Sequence, residues 1–317
     1  MIRTSHYLFA ALCLGSLFAC SRQFTDSYIV PKWCFAVFML FIVLAYEAVN
    51  ILFYRQNEQK DTRISVYGFI IVISCFLQAM FGVVQFFGFF QISTTLWVTG
   101  SFDNPAGFAA CLCAGFPFVG FLLSDSNKYI RYVGGLIGFV IVIAVILSQS
   151  RAGIMSIAFI CFILLNMKFF HKRWVKYLSL LCFALLLSGC YWMKKDSADG
   201  RLLIWRCSVS MVKDAPWLGH GIGSFEARYM DYQADYFRQY GLNRYSMLAD
   251  NVKHPFNEYL GVLLNFGFVG LLMILALITL LIYCYKKHPC AEKRIAFYSL
   301  ISIGVFSFFS YTFTYPF

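Results

Sequence analysis

The side chains best suited to chemistry lie in residues 194–258, a long hydrophilic segment in an otherwise apolar chain. Arg201 and Arg206 lie near its start, five residues apart, and His254 lies near its end. A guanidinium presents a planar fork of donors that binds phosphate oxygens in pairs. A neutral imidazole accepts a proton near physiological pH. The pattern therefore indicates binding of an anionic ligand combined with proton transfer.

His254 precedes Pro255, and the sequence predicts that a helix begins there and continues as an apolar span. The positive end of that helix disfavours imidazolium, so we expect a neutral ring that accepts a proton. The same helix end suits an anionic phosphate, and Glu258 follows one turn later. The alternative is that His254 only caps the helix at an interface.

The arginines are the second element of this pattern. Arg201 and Arg206 flank the apolar residues 202–205, which predicts a short amphipathic helix with its aliphatic side and tryptophan on the membrane surface. Arg151 follows a polar turn, residues 148–150, between two apolar stretches. Each arginine alone is equally well explained as an interfacial or solvated side chain. All three on one side of a membrane favour a phosphate-binding group.

The glycine-rich segment Gly219–Gly223 is predicted to be a tight turn outside the cell. A nucleotide-binding loop would need a preceding strand, a third glycine at the correct spacing or a phosphate-binding lysine, and the sequence has none of these.

The elements that position these residues follow from composition. The chain is 60% hydrophobic, 20% aromatic and 13% charged, which is typical of a polytopic membrane protein. Open strands are excluded, because lipid offers no partner for unpaired backbone groups. A spanning helix needs about 20 apolar residues, and nine stretches are candidates: 7–21, 33–53, 64–90, 105–123, 133–148, 152–166, 178–193, 256–285 and 295–313.

We therefore predict an all-α transmembrane bundle of about nine spans. Residues 1–317 would form a single integral membrane domain, with residues 194–255 as a large loop that carries short helices. The stretches 133–148 and 152–166 are short, and they form either a re-entrant pair or two full crossings. Two polar pairs within spans, Glu47 with Asn50 and Gln78 with Gln85, indicate either interhelical hydrogen bonds or a polar path.

Loop charge predicts the orientation. Thirteen Lys and Arg residues lie in four alternate loops, 54–63, 124–132, 167–177 and 286–294. The short loops opposite hold only Arg22, Lys32 and Arg151. Positive charge favours the cytoplasmic side, so the large loop should face outward.

Several classes of function are disfavoured by composition. The net charge of +11 is spread over membrane loops, so no nucleic-acid partner is predicted, and membrane lipids are the expected partners of these basic loops. Most of the twelve cysteines lie within spans and no C-x-x-C occurs, so neither a metal nor a redox site is expected. Residues 17–20 faintly match a lipoprotein cleavage site, and we favour an uncleaved first span.

An ordered set of short motifs resembles the O-antigen ligase and O-antigen polymerase superfamily of bacterial membrane glycosyltransferases. The resemblance covers about residues 95–285. Its motifs are Gly100–Pro105, Ser150–Gly153, Gly200–Trp205, Asp214–Gly219 with Gly223–Phe225, and His254–Gly270.

The resemblance implies a multi-pass protein of the bacterial inner membrane with its large loop in the periplasm. It implies transfer of a glycan from undecaprenyl pyrophosphate to an acceptor hydroxyl, without metal, nucleotide or other cofactor. The acceptor would be lipid A-core, which we rank first, a growing polysaccharide or a protein. Arg151 and Arg201 match arginines that hold pyrophosphate, with Arg206 beside them, and His254 matches the histidine assigned to the acceptor.

One position departs from the family pattern, which has His directly before Asn. Here Asn257 is followed at the expected distances by Gly267 and Gly270, but Phe256 fills the histidine slot and His254 lies two residues earlier. Either the loop returns His254 to the same place or the catalytic assignment fails. Two other classes stay open, a flippase or transporter of lipid-linked sugars and a structural assembly protein.

Overall fold

The computed structural model describes residues 4–24, 26–53, 60–89, 98–168, 173–193, 195–287 and 290–316. These residues form α-helices, three short 3-10 helices and no strand, so the all-α prediction is confirmed for this part of the chain. The α-helices are α1 Thr4–Phe18, α2 Ile29–Phe53, α3 Lys60–Phe86, α4 Pro105–Gly115, α5 Val119–Leu123, α6 Lys128–Leu147, α7 Arg151–Lys168, α8 Arg173–Met193, α9 Lys195–Asp214, α10 Ser224–Tyr240, α11 Glu258–Lys287 and α12 Ala291–Phe309. The 3-10 helices are Phe116–Phe118, Ser246–Leu248 and Thr312–Thr314.

Five segments of the described chain are long and apolar enough to cross a membrane: Ile29–Asn50, Val66–Phe86, Pro105–Leu123, Lys128–Leu147 and Glu258–Lys287. Helices α1 and α7 are apolar but shorter. Every one of the nine predicted spans overlaps a helix, and these five meet the requirement for a crossing. Of the two helices that the sequence left open as a re-entrant pair, α6 is long enough to cross a membrane by itself. This length favours a full crossing for α6 over a re-entrant turn. Of the basic residues behind the predicted orientation, Arg55 and Lys172 lie outside the described residues.

The helices group into two compact units, and the first contains most of the apolar helices. The prediction that Lys32 lies in a short outer loop is wrong. Helix α2 already begins at Ile29, so Lys32 lies inside the helix and is buried. Its ammonium donates to the backbone carbonyl of Leu17 and lies over the ring of Phe102, 5.1 Å from the centroid. The unit comprises Met1–Ile160, Cys290–Ile303 and Thr312–Phe317.

The buried glutamines of α3 fasten the chain that precedes α4. Gln78 donates to the hydroxyl of Ser101 at 3.0 Å. The side-chain oxygen of Gln85 accepts from the backbone N–H groups of Thr99 and Gly100, both at 2.9 Å. These contacts favour hydrogen bonding over a polar path for this pair, because a buried amide needs such partners, but the partners lie in the chain before α4 and not in a second helix.

The second unit holds the hydrophilic segment, which folds onto itself. Helices α9 and α10 pack together with the first turns of α11. Leu203 and Ile204 of α9 are buried in this core, so the prediction that the aliphatic side of this helix rests on the membrane surface was wrong. The helix uses that side to bury apolar area against its neighbours instead. The core consists of Leu203, Ile204, Cys207, Met211, Phe225, Tyr229, Tyr245 and Leu264. The unit comprises Cys161–Pro289 and Gly304–Tyr311.

Helix α11 is interrupted at Gly267, whose backbone is non-helical (φ 62°, ψ −160°). The chain of residues 216–222, here called the 216–222 loop, lies against this break. Four backbone hydrogen bonds join the two segments: His220 N–H to Leu264 O (2.7 Å), Gly221 N–H to Asn265 O (3.1 Å), Phe268 N–H to Pro216 O (2.8 Å) and Val269 N–H to Trp217 O (3.2 Å). The loop thus satisfies backbone groups that the break would otherwise leave unpaired.

Two glycines make this approach possible. A Cβ on Gly219 would lie 2.6 Å from the carbonyl oxygen of Leu264, and one on Gly267 would collide with the backbone of Trp217. Both residues also have positive φ, which other residue types adopt at a cost.

Replacement of Gly267 by Ala should therefore loosen the α9–α10 core. The positive φ alone costs about 1–3 kcal/mol, and the backbone collision adds to it. Gly221→Ala is the matched control, because Gly221 has φ 91° but no atom within 4 Å of its added Cβ. We would follow labelling of the buried Cys207 by a thiol reagent as temperature rises. Gly267→Ala should expose Cys207 at a lower temperature than Gly221→Ala; equal behaviour of the two would contradict the close contact.

Candidate functional site

Helix α9 presents two side chains to residues 253–257, the loop that leads into α11. The guanidinium carbon of Arg201 lies 5.1 Å from the centre of the Phe256 ring. The indole Nε1 of Trp205 donates to the carbonyl of Pro255 at 3.0 Å. The two residues face the loop together, because side chains four apart share one face of a helix.

His254 lies on the same loop and stacks on Tyr311. The ring centres are 4.7 Å apart and the planes differ by 16°. Phe256 meets Tyr311 edge-on at 5.3 Å, and Arg201 donates to the carbonyl of Phe309 at 2.6 Å. Arg201, His254, Phe256 and Tyr311 therefore form one group within the second unit, here called the Arg201–His254 cluster.

The start of α11 differs from the prediction. The helix begins at Glu258, and Asn257 caps it: the side-chain oxygen of Asn257 accepts from the N–H of Leu260 at 3.1 Å. The prediction that His254 and Pro255 open the helix was wrong, because the buried Asn257 already satisfies a free N–H of the first turn. Glu258 lies in that first turn, where its charge suits the helix dipole.

Phe256 fills the slot that holds histidine in the family pattern, and its backbone is unusual. Its φ is 53°, a region that non-glycine residues rarely adopt. Strain of this kind persists only where neighbours hold it, and here Arg201 lies over one face of the ring while Tyr311 meets it edge-on. The positive φ turns the chain between His254 and Asn257.

Burial lowers the pKa of His254, so the ring is held neutral as predicted. The carboxylate of Glu226 opposes this shift, and the ammonium of Lys253 adds to it. Glu226 and Lys253 also face one another, with nitrogen and oxygen 3.8 Å apart. The cause is therefore desolvation, and not the helix end that the sequence suggested.

Arg206 points to a different side of α9. Five residues of helix place it about 140° around the axis from Arg201. Its Nη1 donates to the hydroxyl of Tyr236 at 3.3 Å, which raises the pKa of Arg206, and its guanidinium lies over Tyr245 at 5.2 Å. The structure thus brings Arg201 and His254 to a common loop and gives Arg206 separate neighbours.

Arg151 is the first residue of α7, in the first unit. The preceding turn is as predicted: Gln149 has a positive φ of 52°, and the hydroxyl of Ser150 accepts from the N–H of Gly153 at 3.3 Å. This places the guanidinium at a helix start, as the sequence indicated.

The glycine segment Gly219–Gly223 is a turn, with positive φ at Gly219, Gly221 and Gly223. His220 within it bonds through Nε2 to the carbonyl of Met211 at 2.7 Å, and through Nδ1 to a guanidinium nitrogen of Arg228 at 3.2 Å. The turn interpretation is confirmed. Across the described residues no group of three or more His, Cys, Asp or Glu side chains is placed to hold a metal ion.

Three contributors to the cluster escaped sequence reasoning. Tyr311 and Phe309 lie more than fifty residues beyond His254, and Glu226 lies on α10. No spacing rule links such distant positions. The run of aromatic residues near the C-terminus was read only as part of a span.

The fold and site together define a class: a helical membrane protein with a cluster of basic and aromatic side chains in its hydrophilic part. Residues 136–275 match the family model for O-antigen ligase. This match supports the resemblance to the O-antigen ligase superfamily that the sequence predicted. Residues Arg151, Arg201, Arg206, His254, Asn257 and Glu258 all lie within the match. No curated protein and no solved structure matches the chain.

The lowered pKa of His254 gives a testable pH dependence. The folded protein favours the neutral ring, so the ring should titrate below the ordinary value of 6.5. The sign for stability follows: the contribution of His254 is present above pH 6.5 and is lost as the pH falls through the folded-state pKa. NMR of isotope-labelled histidine would show it, with the resonance assigned by its loss in His254→Gln. A midpoint at or above 6.5 would contradict burial as the dominant effect.

Proposed function

We propose that this protein transfers a glycan from undecaprenyl pyrophosphate to an acceptor hydroxyl at the periplasmic face of the bacterial inner membrane. The family match supports glycan transfer of the O-antigen ligase or polymerase type in general. The donor, the acceptor and the membrane face are the finer parts of this proposal. Lipid A-core is the acceptor we rank first.

The observation that carries the proposal is the Arg201–His254 cluster. The guanidinium of Arg201 packs on Phe256 of the loop that carries the neutral His254, and Tyr311 contacts both Phe256 and His254. Electrostatic interactions strengthen where water is excluded, so a diphosphate here would be held more firmly than in solution. An imidazole with a lowered pKa stays neutral and accepts a proton.

The reaction requires one bond change at the sugar. The acceptor oxygen forms a bond to the anomeric carbon, and the bond from that carbon to the pyrophosphate oxygen breaks, in a single inverting step. The hydroxyl proton passes to His254, and undecaprenyl pyrophosphate leaves with the electron pair. Pyrophosphate is a good leaving group, so positioning and charge stabilisation should contribute more than proton removal.

The other residues have supporting roles in this proposal. Asn257 fixes the start of α11 and with it the end of the His254 loop. Glu258, in the first helical turn, would orient the acceptor. Arg151 is assigned to pyrophosphate binding on the strength of the family resemblance, and Arg206 is assigned to it because it follows Arg201 by five residues on α9.

The nine-span topology belongs to the same proposal. Its support is the loop-charge asymmetry and the helix that underlies each predicted span. The large loop, residues 194–255, then faces the periplasm within one integral membrane domain of residues 1–317. The family resemblance implies that the undecaprenyl-linked donor is used on that face.

Replacement of His254 by Ala should lower glycan transfer about 10²–10⁴-fold, the usual contribution of a positioned acid or base. The measurement is transfer by the purified protein in lipid nanodiscs with undecaprenyl-pyrophosphate glycan. Shielding of Cys207 from a thiol reagent serves as the control that the variant is folded. Undiminished transfer by a folded His254→Ala protein would remove His254 from the chemistry.

Replacement of Arg201 by Lys should lower transfer about 10- to 100-fold, because a charged hydrogen bond contributes about 1.5–3 kcal/mol and lysine lacks the planar fork. Arg206→Lys is the matched variant on the same helix. Its effect should be smaller, since Arg206 faces Tyr236 and Tyr245. Equal losses in the two variants would show that proximity to the His254 loop does not matter.

The acceptor can be separated from the alternatives by offering lipid A-core, polysaccharide or a protein to the same preparation. Transfer to lipid A-core supports ligation. Transfer only to a growing glycan or only to protein would identify a polymerase or a protein glycosyltransferase. Movement of the donor across the bilayer without covalent transfer would instead identify a flippase.

A further inference from the structure

Three large apolar side chains of the 216–222 loop are exposed in a part of the chain that otherwise carries charge. Trp217 is 70% exposed, Leu218 74% and Ile222 83%. They are here called the Trp217 patch. Burial of such side chains is favourable, so a group of them left outside the core indicates a further contact surface.

Backbone hydrogen bonds hold the Trp217 patch at one position along the axis of α11. The four backbone hydrogen bonds of the 216–222 loop all go to residues 264–269 around the Gly267 break. The ring of Trp217 also meets the ring of Phe268, with centres 6.0 Å apart. Because the contact is between backbones, the loop cannot slide along the helix.

The part of α11 on the C-terminal side of the Gly267 break is as long as the hydrocarbon layer of a membrane is thick. Residues 268–287 are apolar down to the closing pair Lys286 and Lys287. Twenty helical residues rise about 30 Å, which is the thickness of the hydrocarbon layer. With the two lysines at one boundary, Gly267 lies at the other.

The neighbours of the segment of α11 before Gly267 are consistent with this placement. Leu264 packs in the same core as Phe225 and Tyr229 of α10. Helix α10 also exposes five charged residues, which do not enter hydrocarbon. They are Glu226, Arg228, Asp231, Asp235 and Arg238. The first turns of α11 therefore lie on the aqueous side.

We propose that the Trp217 patch inserts into the head-group boundary of the lipid leaflet next to α9 and α10. The patch is level with the boundary, is continuous with Phe268 of the span, and contains a tryptophan, whose apolar ring and polar N–H suit that depth. The bound partner is the bilayer itself, through the upper parts of the phospholipid acyl chains. This anchor sets the height of α9, and with it the height of Arg201, above the membrane. The proposal does not depend on which reaction the protein performs.

The test is depth-dependent quenching of Trp217 fluorescence in nanodiscs. The emission of Trp217 is the difference between the native protein and Trp217→Phe, a change that keeps an aromatic ring in the contact with Phe268. Phospholipid brominated near the top of its acyl chains should remove most of this difference emission. Phospholipid brominated at the chain ends should remove less, and aqueous acrylamide should have little effect.

Leu242 supplies a matched control, because it is 89% exposed in another loop of the same unit. In the double variant Trp217→Phe, Leu242→Trp, the new emission should respond to acrylamide and not to brominated lipid. Quenching of Trp217 by acrylamide would overturn the proposal by placing the patch in water. Insensitivity of Trp217 to both quenchers would also overturn it, since a second copy or another protein would then cover the patch.

Discussion

The close contact between the 216–222 loop and the break in α11 determines how the second unit is built. A helix that loses its regular hydrogen bonds near a membrane must recover them elsewhere. Here the loop supplies them, and Gly219 and Gly267 are the residues that let the two backbones meet. The contact fixes the end of α9 and the beginning of α10 against α11. The apolar core around Leu264 can form only once these three helices are in place.

The Arg201–His254 cluster illustrates how an apolar setting changes ordinary side chains. Arg201 is held by a carbonyl and an aromatic face, and His254 is held by a stacked tyrosine. Such partners restrict rotation, so in the proposed function less entropy would be lost when the donor binds. Desolvation also keeps the imidazole neutral, because its effect outweighs the opposing charge of Glu226. A site of this kind depends on rigidity more than on the number of its charges.

Much of the fold follows from the sequence, because lipid permits few backbone arrangements. Apolar length alone located a helix under each predicted span, and the polar turn before Arg151 was identified from its residues. The glycine turn Gly219–Gly223 was recognised, but its partner on α11 was not. Hydrogen bonds between residues 44 to 52 positions apart leave no periodic pattern.

Less of the candidate site could be predicted from the sequence. Arg201 and His254 could be selected by residue type, and the structure brings both to one loop. Their setting could not be derived: Tyr311 comes from the far end of the chain, and Phe256 adopts a backbone conformation that its residue type disfavours. The sequence predicts that α11 begins at Pro255, because proline is common in the first position of a helix. The helix begins at Glu258 instead, because the side chain of Asn257 accepts a hydrogen bond from the free N–H of Leu260. The capping hydrogen bond of Asn257 therefore outweighed the preference of proline for the first position of a helix.

In the proposed placement, α11 lies in the bilayer on the C-terminal side of Gly267, and on the N-terminal side it packs in the apolar core of the hydrophilic segment. A helix whose apolar length equals the hydrocarbon thickness responds to a thinner bilayer by tilting. Leu264 of α11 packs in the same core as Leu203 of α9. A tilt of α11 would therefore also rotate α9. In this placement, the length of the acyl chains in the surrounding membrane would affect the orientation of the hydrophilic segment, residues 194–258.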